Sequence, residues 1–252
     1  MSGHSKWSTI KRKKGVNDAA RAKVFTKIGR ELAVAVKEGG PDPASNSKLK
    51  DVIAKANAAN IPKDNIERAI KKAAGSSEAD NYFENTYEGY GPSGIAIIVE
   101  TLTDNKNRTA GDVRHIFDKY GGNMGQSGCV SFMFSRYGVI AIEKVNEETD
   151  EEVDENTLME AAIDAGAVDF LTEDDDVFEV RTDPNELGAV RDALETQGYK
   201  FVSAEVQAIP SSYVKLTSED DLKNMSTMLD MFEENDDVQS VWHNWENPED
   251  AE

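Results

Sequence analysis

The sequence contains a single cysteine and no long uncharged run. Cys129 cannot form a disulfide within the chain, and no CxxC pair or Cys/His cluster accompanies it. A structural zinc site and a redox-active cysteine pair are therefore excluded. No stretch approaches the roughly 18 uncharged residues needed to span a bilayer, and the start of the chain lacks the apolar segment of a secretory signal. We expect a cytoplasmic protein without a membrane partner.

Proline is also scarce, with 7 residues among 252. Hydrophobic residues make up 38% of the chain and charged residues 30%. This composition is too apolar for a disordered chain and too polar for a membrane protein. At roughly 100–200 residues per domain, the length allows two or three compact units.

Basic residues are few and unevenly placed. The formal net charge is −20, yet residues 1–75 hold 17 Lys and Arg against 7 Asp and Glu, whereas residues 76–252 hold 11 against 41. Such asymmetry indicates a basic binding arm on an acidic body. Salt screens exposed charges beyond about 8–10 Å, so the body need not cancel the arm. The alternative is that the basic segment docks on the acidic segment of the same chain.

The candidate binding residues are cations near the start of the chain, joined by one aromatic residue and a polar loop. Trp7 beside basic residues could stack on a base while the cations neutralise phosphates. The alternative for the arm is a solubilising tail with Trp7 packed on the helices. The alternative for the polar loop at Asn107 is a helix cap without a binding role. The candidates are Lys6, Trp7, Lys11, Arg12, Lys13, Lys14, Arg21, Lys23, Lys27, Arg30, Lys63, Arg68, Lys71, Lys72, Asn107 and Arg108.

Apolar spacing predicts three helices in the basic segment. Asn17 or Asp18 caps the first helix, and Gly39–Pro41 ends it. The second helix runs from about Ser47, and Pro62 suits the first turn of the third. We expect a basic helical unit followed by a linker.

The remaining pattern predicts alternating strands and helices. Between residues 136 and 209 the order is βαββαβ, which is that of a ferredoxin-like sandwich. The flanking segments are predicted to build a second sandwich, with strands at Val130–Ser135 and Tyr213–Leu216 and an extra strand at Tyr82–Tyr90. A separate strand is predicted at Val139–Lys144.

The predicted fold class is therefore α+β with three domains. A three-helix domain occupies 1–80 with its arm, the first α/β domain occupies 81–135 plus 210–245, and a ferredoxin-like domain at 136–209 is inserted in it. Residues 246–252 form an acidic tail. A sequential layout is the alternative, but it would leave each flanking half without a partner for its apolar face.

Two glycine-rich segments could suggest a nucleotide site. Gly89–Gly94 matches GxGxxG, but a strand follows instead of a helix and Pro92 removes an amide, so we interpret it as a hairpin turn. Gly121–Gly128 follows a helix and precedes a strand, which favours a helix cap and loop. It could also be a surface loop that RNA approaches closely.

No arrangement of residues favours catalysis or a metal. His4, His115 and His243 have no partner at ligand spacing, and no GxSxG nucleophile motif occurs. The acidic clusters at 147–155, 173–176 and 233–237 could bind Mg²⁺, but they fall mainly in predicted turns, where charge is usually solvated. We expect no cofactor, no metal, no catalytic residue and no small-molecule substrate.

Several motifs resemble the YebC family, and the resemblance extends to about residue 245. The motifs are Gly3–Trp7, Phe25–Ile28, Arg30–Leu32, Glu88–Pro92, Asp104–Thr109 and Val241–Asn244. That family is similar to the mitochondrial translational activator of cytochrome oxidase subunit I. The resemblance implies a non-enzymatic, three-domain protein with no catalytic residues to transfer. The chain departs from the family pattern mainly in an acidic insert at 146–155.

The resemblance implies a DNA-binding transcriptional regulator, or alternatively a ribosome-associated factor that binds ribosomal RNA and relieves stalling at proline-rich stretches. The exposed face of the third helix is mostly lysine, which binds phosphate without reading a base sequence, and this favours RNA. Two other classes remain open: an interaction module whose acidic body binds a basic protein, and a nuclease or other enzyme.

Overall fold

The computed structural model describes residues 18–75, 82–145 and 151–251. Its basic segment folds into three helices, as predicted. Leu32 and Leu49 lie at the centre of their shared core, together with Ile66. The side chain of Asn46 caps the second helix by accepting a hydrogen bond from the Leu49 amide. The helices are α1 (Asp18–Gly39), α2 (Ser47–Ala58) and α3 (Lys63–Ala74).

The first sheet is antiparallel, with the strand order β3-β1-β2-β8. The turn of Gly89–Gly94 connects β1 to β2, which confirms the hairpin interpretation. Two helices cover one face of the sheet and bury Phe117 against Phe232, with ring centroids 5.2 Å apart. The elements are β1 (Phe83–Tyr90), β2 (Ala96–Thr103), α4 (Lys106–Lys119), β3 (Asn123–Met124), α7 (Glu219–Glu234) and β8 (Val238–His243).

Three details of the first sheet differ from the sequence prediction. The strand expected at Tyr82–Tyr90 as an addition lies in the middle of the sheet. Val130–Ser135 is not a strand of this sheet, because Ser131–Met133 forms a 3-10 turn and Phe134 begins a strand of the next sheet. Tyr213–Leu216 makes a single bridge, between Val214 and Trp245.

The second sheet is also antiparallel, with the order β5-β6-β4-β7. This order and the sequence βαββαβ confirm the ferredoxin-like prediction. One long strand, β4, replaces the two strands that were expected at Val130–Ser135 and Val139–Lys144. The elements are β4 (Phe134–Glu143), α5 (Glu155–Ala165), β5 (Asp169–Leu171), β6 (Val177–Thr182), α6 (Leu187–Thr196) and β7 (Phe201–Pro210).

The chain leaves the first sheet before completing it. β8 pairs with β2 only after the whole second sheet has been formed. The α+β architecture with an inserted α/β unit is therefore confirmed, whereas the residue bounds of the three domains remain a prediction. Within the described ranges, no helix combines the length and the apolar character required to cross a bilayer.

Candidate nucleic-acid interface

The structure separates the predicted binding residues into groups. The arm residues Lys6, Trp7, Lys11, Arg12, Lys13 and Lys14 lie outside the described residues. Arg21 belongs to α1, but its side chain is also outside the description. The other nine candidates lie on α1, α3 and the first turn of α4.

The cations of α1 contact the C-terminal end of α7. The Lys27 ammonium donates to the carbonyl oxygen of Glu233 at 2.8 Å. The Arg30 guanidinium donates to the carbonyl oxygen of Asp236 at 2.8 Å and to the carboxylate of Asp237 at 2.7 Å. Lys23 and Glu234 form a longer pair at 3.9 Å. Lys23, Lys27 and Arg30 therefore join the helical domain to the first α/β domain.

The end of α7 needs cations from elsewhere in the chain. The helix has no basic residue in its last turn and carries Glu233 and Glu234 there. The carbonyl groups at a helix C-terminus bear partial negative charge, which cations stabilise. Lys23, Lys27 and Arg30 therefore contact an acidic segment of their own chain. The expectation of a solvated cluster at 233–237 is wrong for its last member, Asp237, which is buried.

Asp237 is the centre of a buried network. Its side chain is 5% exposed and accepts hydrogen bonds from Arg30, Arg108, Thr103 and Thr109 at 2.7–3.1 Å. Burial by itself would raise the pKa of Asp237, but the hydrogen bonds, led by that of Arg108, hold this pKa below its ordinary value. The carboxylate therefore stays ionised at neutral pH and links α1 to the end of β2 and the first turn of α4.

The predicted polar loop contributes through different residues than expected. Asn105, not Asn107, caps α4, because its side-chain oxygen accepts from the Arg108 amide at 3.1 Å. Asn107 lies exposed in the first turn. The Arg108 side chain binds both Asp104 and Asp237. Arg108 thus contributes to the same ionic junction as Arg30.

The cations of α3 are placed differently. Lys63, Arg68, Lys71 and Lys72 are all exposed. Arg68 and Lys71 line a shallow surface depression together with Asp64 and Glu67. The opposite face of α3 buries Ile66 in the helical core. Of the predicted cations on described residues, this set is the one that the fold presents outward as a group.

A second ionic junction holds the helical domain to the second α/β domain, and the sequence did not predict it. Arg191 of α6 is 2% exposed and donates to Asp51 of α2 at 2.7 Å and to its neighbour Asp192 at 3.0 Å. Lys50 pairs with Asp192. Arg191 occupies the apolar face of α6, between Leu187 and Leu194 at helical spacing. A cation at such a position is the signal that could have indicated the junction.

Sequence reasoning also missed Glu88, a buried carboxylate at the end of β1. Its oxygens accept hydrogen bonds from the backbone amides of Gly128, Val130 and Ser131 at 2.8–2.9 Å. An acidic residue inside a strand that is otherwise half apolar was the available signal. As for metals, the described part of the chain contains no group of three or more His, Cys, Asp or Glu arranged to hold an ion.

Comparison with known proteins assigns almost the whole chain. Residues 5–76 match the TACO1/YebC N-terminal domain and residues 82–245 match the TACO1/YebC second and third domain. A "probable transcriptional regulatory protein" of Ruminiclostridium cellulolyticum is 56% identical over 252 residues, covering 100% of this chain and 99% of the relative. A protein of the same description from Agathobacter rectalis is 58% identical over 246 residues, covering 98% and 100%.

A solved structure shares the fold. The crystal structure of a conserved hypothetical protein from Aquifex aeolicus superimposes with a TM-score of 0.82 and 43% sequence identity, and the match covers 96% of this chain and 97% of that one. The family models together span both the helical and the α/β parts, which agrees with the architecture described above. The chain belongs to the TACO1/YebC family.

Proposed function

We propose that this protein is a non-enzymatic regulator of gene expression that binds nucleic acid through its N-terminal domain. The observation that carries the proposal is the exposed cationic face of α3, formed by Lys63, Arg68, Lys71 and Lys72. It lies in the segment with a net charge of +10, whereas the rest of the chain carries −30. Phosphate contacts of Lys and Arg supply most non-specific affinity for nucleic acids.

The names of the relatives support a regulatory role. The similar proteins from Ruminiclostridium cellulolyticum and Agathobacter rectalis are described as probable transcriptional regulatory proteins, which is not an enzyme class. We extend that role to this chain, with DNA as the partner and the cytoplasm as the compartment. The predicted arm, with Lys6, Trp7 and the cations at 11–14, would add contacts to those of α3.

The candidates that the fold engages internally receive a different role in this proposal. Lys23, Lys27, Arg30 and Arg108 contact the acidic end of α7 and the Asp237 network. Arg30 and Arg108 already neutralise the buried carboxylate of Asp237, and Lys27 donates to a backbone carbonyl, so these cations are less available to phosphate. We therefore assign the phosphate contacts primarily to α3 and the arm, and the positioning of the domain to α1.

One observation favours a second target. The exposed polar side chains of α3 are Lys, Arg, Asp and Glu, and the one amide of the helix that could pair with an adenine edge, Asn65, is half-buried. Such a face positions on phosphate and does not read a sequence. A folded RNA, such as ribosomal RNA in a translation factor, is the second candidate. Crosslinking in cells followed by sequencing separates the two, because the reads map either to promoters or to ribosomal RNA.

The proposal is tested with a charge reversal on α3. We expect Arg68→Glu combined with Lys71→Glu to weaken binding of the full chain to a labelled 20-base-pair DNA and to a labelled structured RNA. If each cation contacts one phosphate, the slope of log affinity against log salt falls by about 0.7–0.9 per contact. Fluorescence anisotropy over a salt series measures both quantities.

The matched control reverses two exposed lysines of the first α/β domain, Lys215→Glu and Lys223→Glu. It changes the net charge by the same amount but leaves α3 intact, so we expect nearly wild-type binding. Equal binding by the α3 variant and the wild type would show that the exposed face of α3 is not the interface. Equal losses in both variants would show a general charge effect instead of a site.

A further inference from the structure

The segment of residues 120–135, called the β3–β4 loop below, contains β3 and the turn that leads into β4. Its composition is unusual in a strongly charged protein. Residues 120–135 contain no charged side chain, although 30% of the chain is charged. The segment includes the glycine-rich stretch Gly121–Gly128 and the 3-10 turn Ser131–Met133. Neither the cationic face of α3 nor the ionic junctions use it.

A buried carboxylate fixes the shape of this loop. Glu88 accepts three backbone hydrogen bonds from it, donated by Gly128, Val130 and Ser131. Although burial opposes ionisation, these backbone bonds lower the pKa of Glu88. The backbone carbonyl of Glu88 also accepts from the Gly125 amide at 2.8 Å. The carboxylate stays charged and is satisfied by the loop alone.

Close packing restricts the loop further. A Cβ at Gly125 would lie 2.5 Å from the Cys129 sulfur, and one at Gly122 would lie 2.4 Å from the Tyr90 carbonyl oxygen. Gly128 has a φ of +89°, which side chains rarely adopt. The loop is therefore built to hold one conformation while its tip faces solvent.

The tip presents a phenylalanine to water. Phe132 is 77% exposed, the largest exposed fraction of any large apolar side chain in the described residues, and its neighbour Val130 is fully buried. Gln126, Ser127, Gly128 and Ser131 are exposed beside it. Covering an exposed phenylalanine ring with another flat or apolar surface removes apolar area from water and is favourable. A rigid loop that withholds this ring from the core keeps it available to a ligand.

We propose that Phe132 and the neutral loop tip form a stacking site for an unpaired base of a single-stranded nucleic acid. The site deepens the proposed function and rests on it, since the cations of α3 supply the phosphate affinity. Aromatic side chains stack on bases without sequence preference, and neutral hydroxyl and amide groups bind base edges. The lack of acidic groups at the tip spares the phosphates the repulsion expected elsewhere on the α/β domains.

The exposed surface suits a base better than a protein. A stable protein interface buries roughly 800 Å² on each partner around a cluster of anchors. Here one ring is exposed, and the adjoining Val130 and Met133 face the interior. A base needs only one face of a ring, and the glycine at position 128 lets a flat group approach the backbone closely.

The test compares full-length variants on four probes: single-stranded RNA and DNA 12-mers carrying 2-aminopurine, and the matching duplexes. We expect Phe132→Ala to weaken single-strand binding by about 5- to 150-fold with an unchanged salt slope, and to abolish the quenching of 2-aminopurine. Phe132→Tyr should retain both, and duplex affinity should not change. The matched control is Ile163→Ala, which truncates a 58% exposed apolar side chain on α5.

The outcomes separate this inference from the proposed function. If Phe132→Ala binds single strands as well as the wild type while the α3 charge reversal weakens them, the stacking site is wrong and the nucleic-acid function stands. The exposed ring would then serve another partner, such as a protein. If the wild type binds none of the four probes, the proposed function itself fails. If Phe132→Ala loses more affinity for the RNA 12-mer than for the DNA 12-mer, RNA is the source of the base. A larger loss of affinity for the DNA 12-mer identifies DNA.

Discussion

At the scale of single residues, Asp237 shows how a charged side chain can be both buried and stabilising. Two guanidinium groups and two hydroxyl groups donate to it. Removing one member of a buried ion pair leaves the partners without compensation and costs about 3–5 kcal/mol. Because the Arg108 side chain is 47% exposed and can be rehydrated, we expect the loss here to fall below that range.

We expect Asp237→Asn to lower the free energy of unfolding by about 2–3 kcal/mol at pH 7. The pKa of Asp237 is lower in the folded protein than in the unfolded chain, so its contribution is present above the unfolded pKa of about 4. That contribution is lost as the pH falls through the folded pKa. Urea denaturation at pH 7 and below pH 4 should therefore show a difference between variant and wild type that shrinks in acid.

Asp236→Asn is the matched control, because it makes the same chemical change one residue earlier on an exposed side chain. Its backbone carbonyl, which accepts from Arg30, is unaffected. We expect a change within about 0.5 kcal/mol. A deficit for Asp237→Asn that stays constant with pH would contradict the ionic origin of the stabilisation.

Sequence reasoning identified the two arginines of this junction but not their role. Charge counting singled out Arg30 and Arg108 as cations, and the helical spacing placed Arg30 correctly on α1. Nothing in the local sequence pairs them with a carboxylate more than 100 positions away. The partner of a charge is set by tertiary packing. The sequence pattern of a cation on a helix surface is therefore the same whether the cation binds a phosphate or a carboxylate of its own chain.

At the scale of elements, the helices were predicted more accurately than the strands. Glycine, proline and capping residues mark helix ends locally: α1 begins and ends, and α2 begins, where the pattern indicated. The pattern instead predicted two strands, Val130–Ser135 and Val139–Lys144, where the structure has the one long strand β4, and Gly138 lies in the predicted gap between them. Glycine is a turn signal in sequence, but in the structure it lies within the strand.

The reason for Gly138 is contact, not bending. A Cβ there would lie 2.2 Å from the Thr182 hydroxyl oxygen and 2.8 Å from the Cβ of Leu187. We expect Gly138→Ala to lower the free energy of unfolding by about 1–3 kcal/mol through overpacking between β4, β6 and α6. A shift of the urea midpoint to lower concentration checks this expectation.

Gly111→Ala provides the comparison within α4. A Cβ at Gly111 meets nothing within 4 Å, and alanine is a better helix former than glycine by about 1 kcal/mol. We therefore expect the opposite sign, with a small gain in stability. If the two variants were destabilised alike, steric contact would not explain why glycine occupies position 138.

At the scale of the whole molecule, the helical domain is held at two ionic junctions that each contain a buried charge. The first junction joins α1 to the end of α7 and to the first turn of α4 through Asp237. The second junction joins α2 to α6 through Arg191. An apolar cluster joins the two α/β domains, where Ala208 packs with Ile98 and Trp242, whereas the apolar cluster of the helical domain contains only its own residues. The position of the helical domain therefore depends strongly on charge pairs, and the placement of the cationic face of α3 depends on it in turn.

We expect Arg191→Met to loosen the contact between the helical domain and the second α/β domain. Arg191 is almost fully buried, and its pairs with Asp51 and Asp192 outweigh the loss of hydration, so its pKa is raised. Methionine fills similar space but cannot bind Asp51, which is 44% exposed and returns to water. The radius of gyration from X-ray scattering should increase, and amide exchange in α2 should become faster.

Arg114→Met controls for the loss of one positive charge, because Arg114 lies exposed on α4 and away from both junctions. We expect it to leave the scattering curve and the exchange of α2 unchanged. Because Arg191 is shielded from solvent, salt should screen its pairs less than it screens the exposed pair of Lys48 with Glu84. About 1 M salt should therefore change the radius of gyration of the wild type less than the Arg191→Met substitution does. An Arg191→Met protein with wild-type dimensions and exchange would mean that apolar contacts, not this ion pair, fix the position of the helical domain.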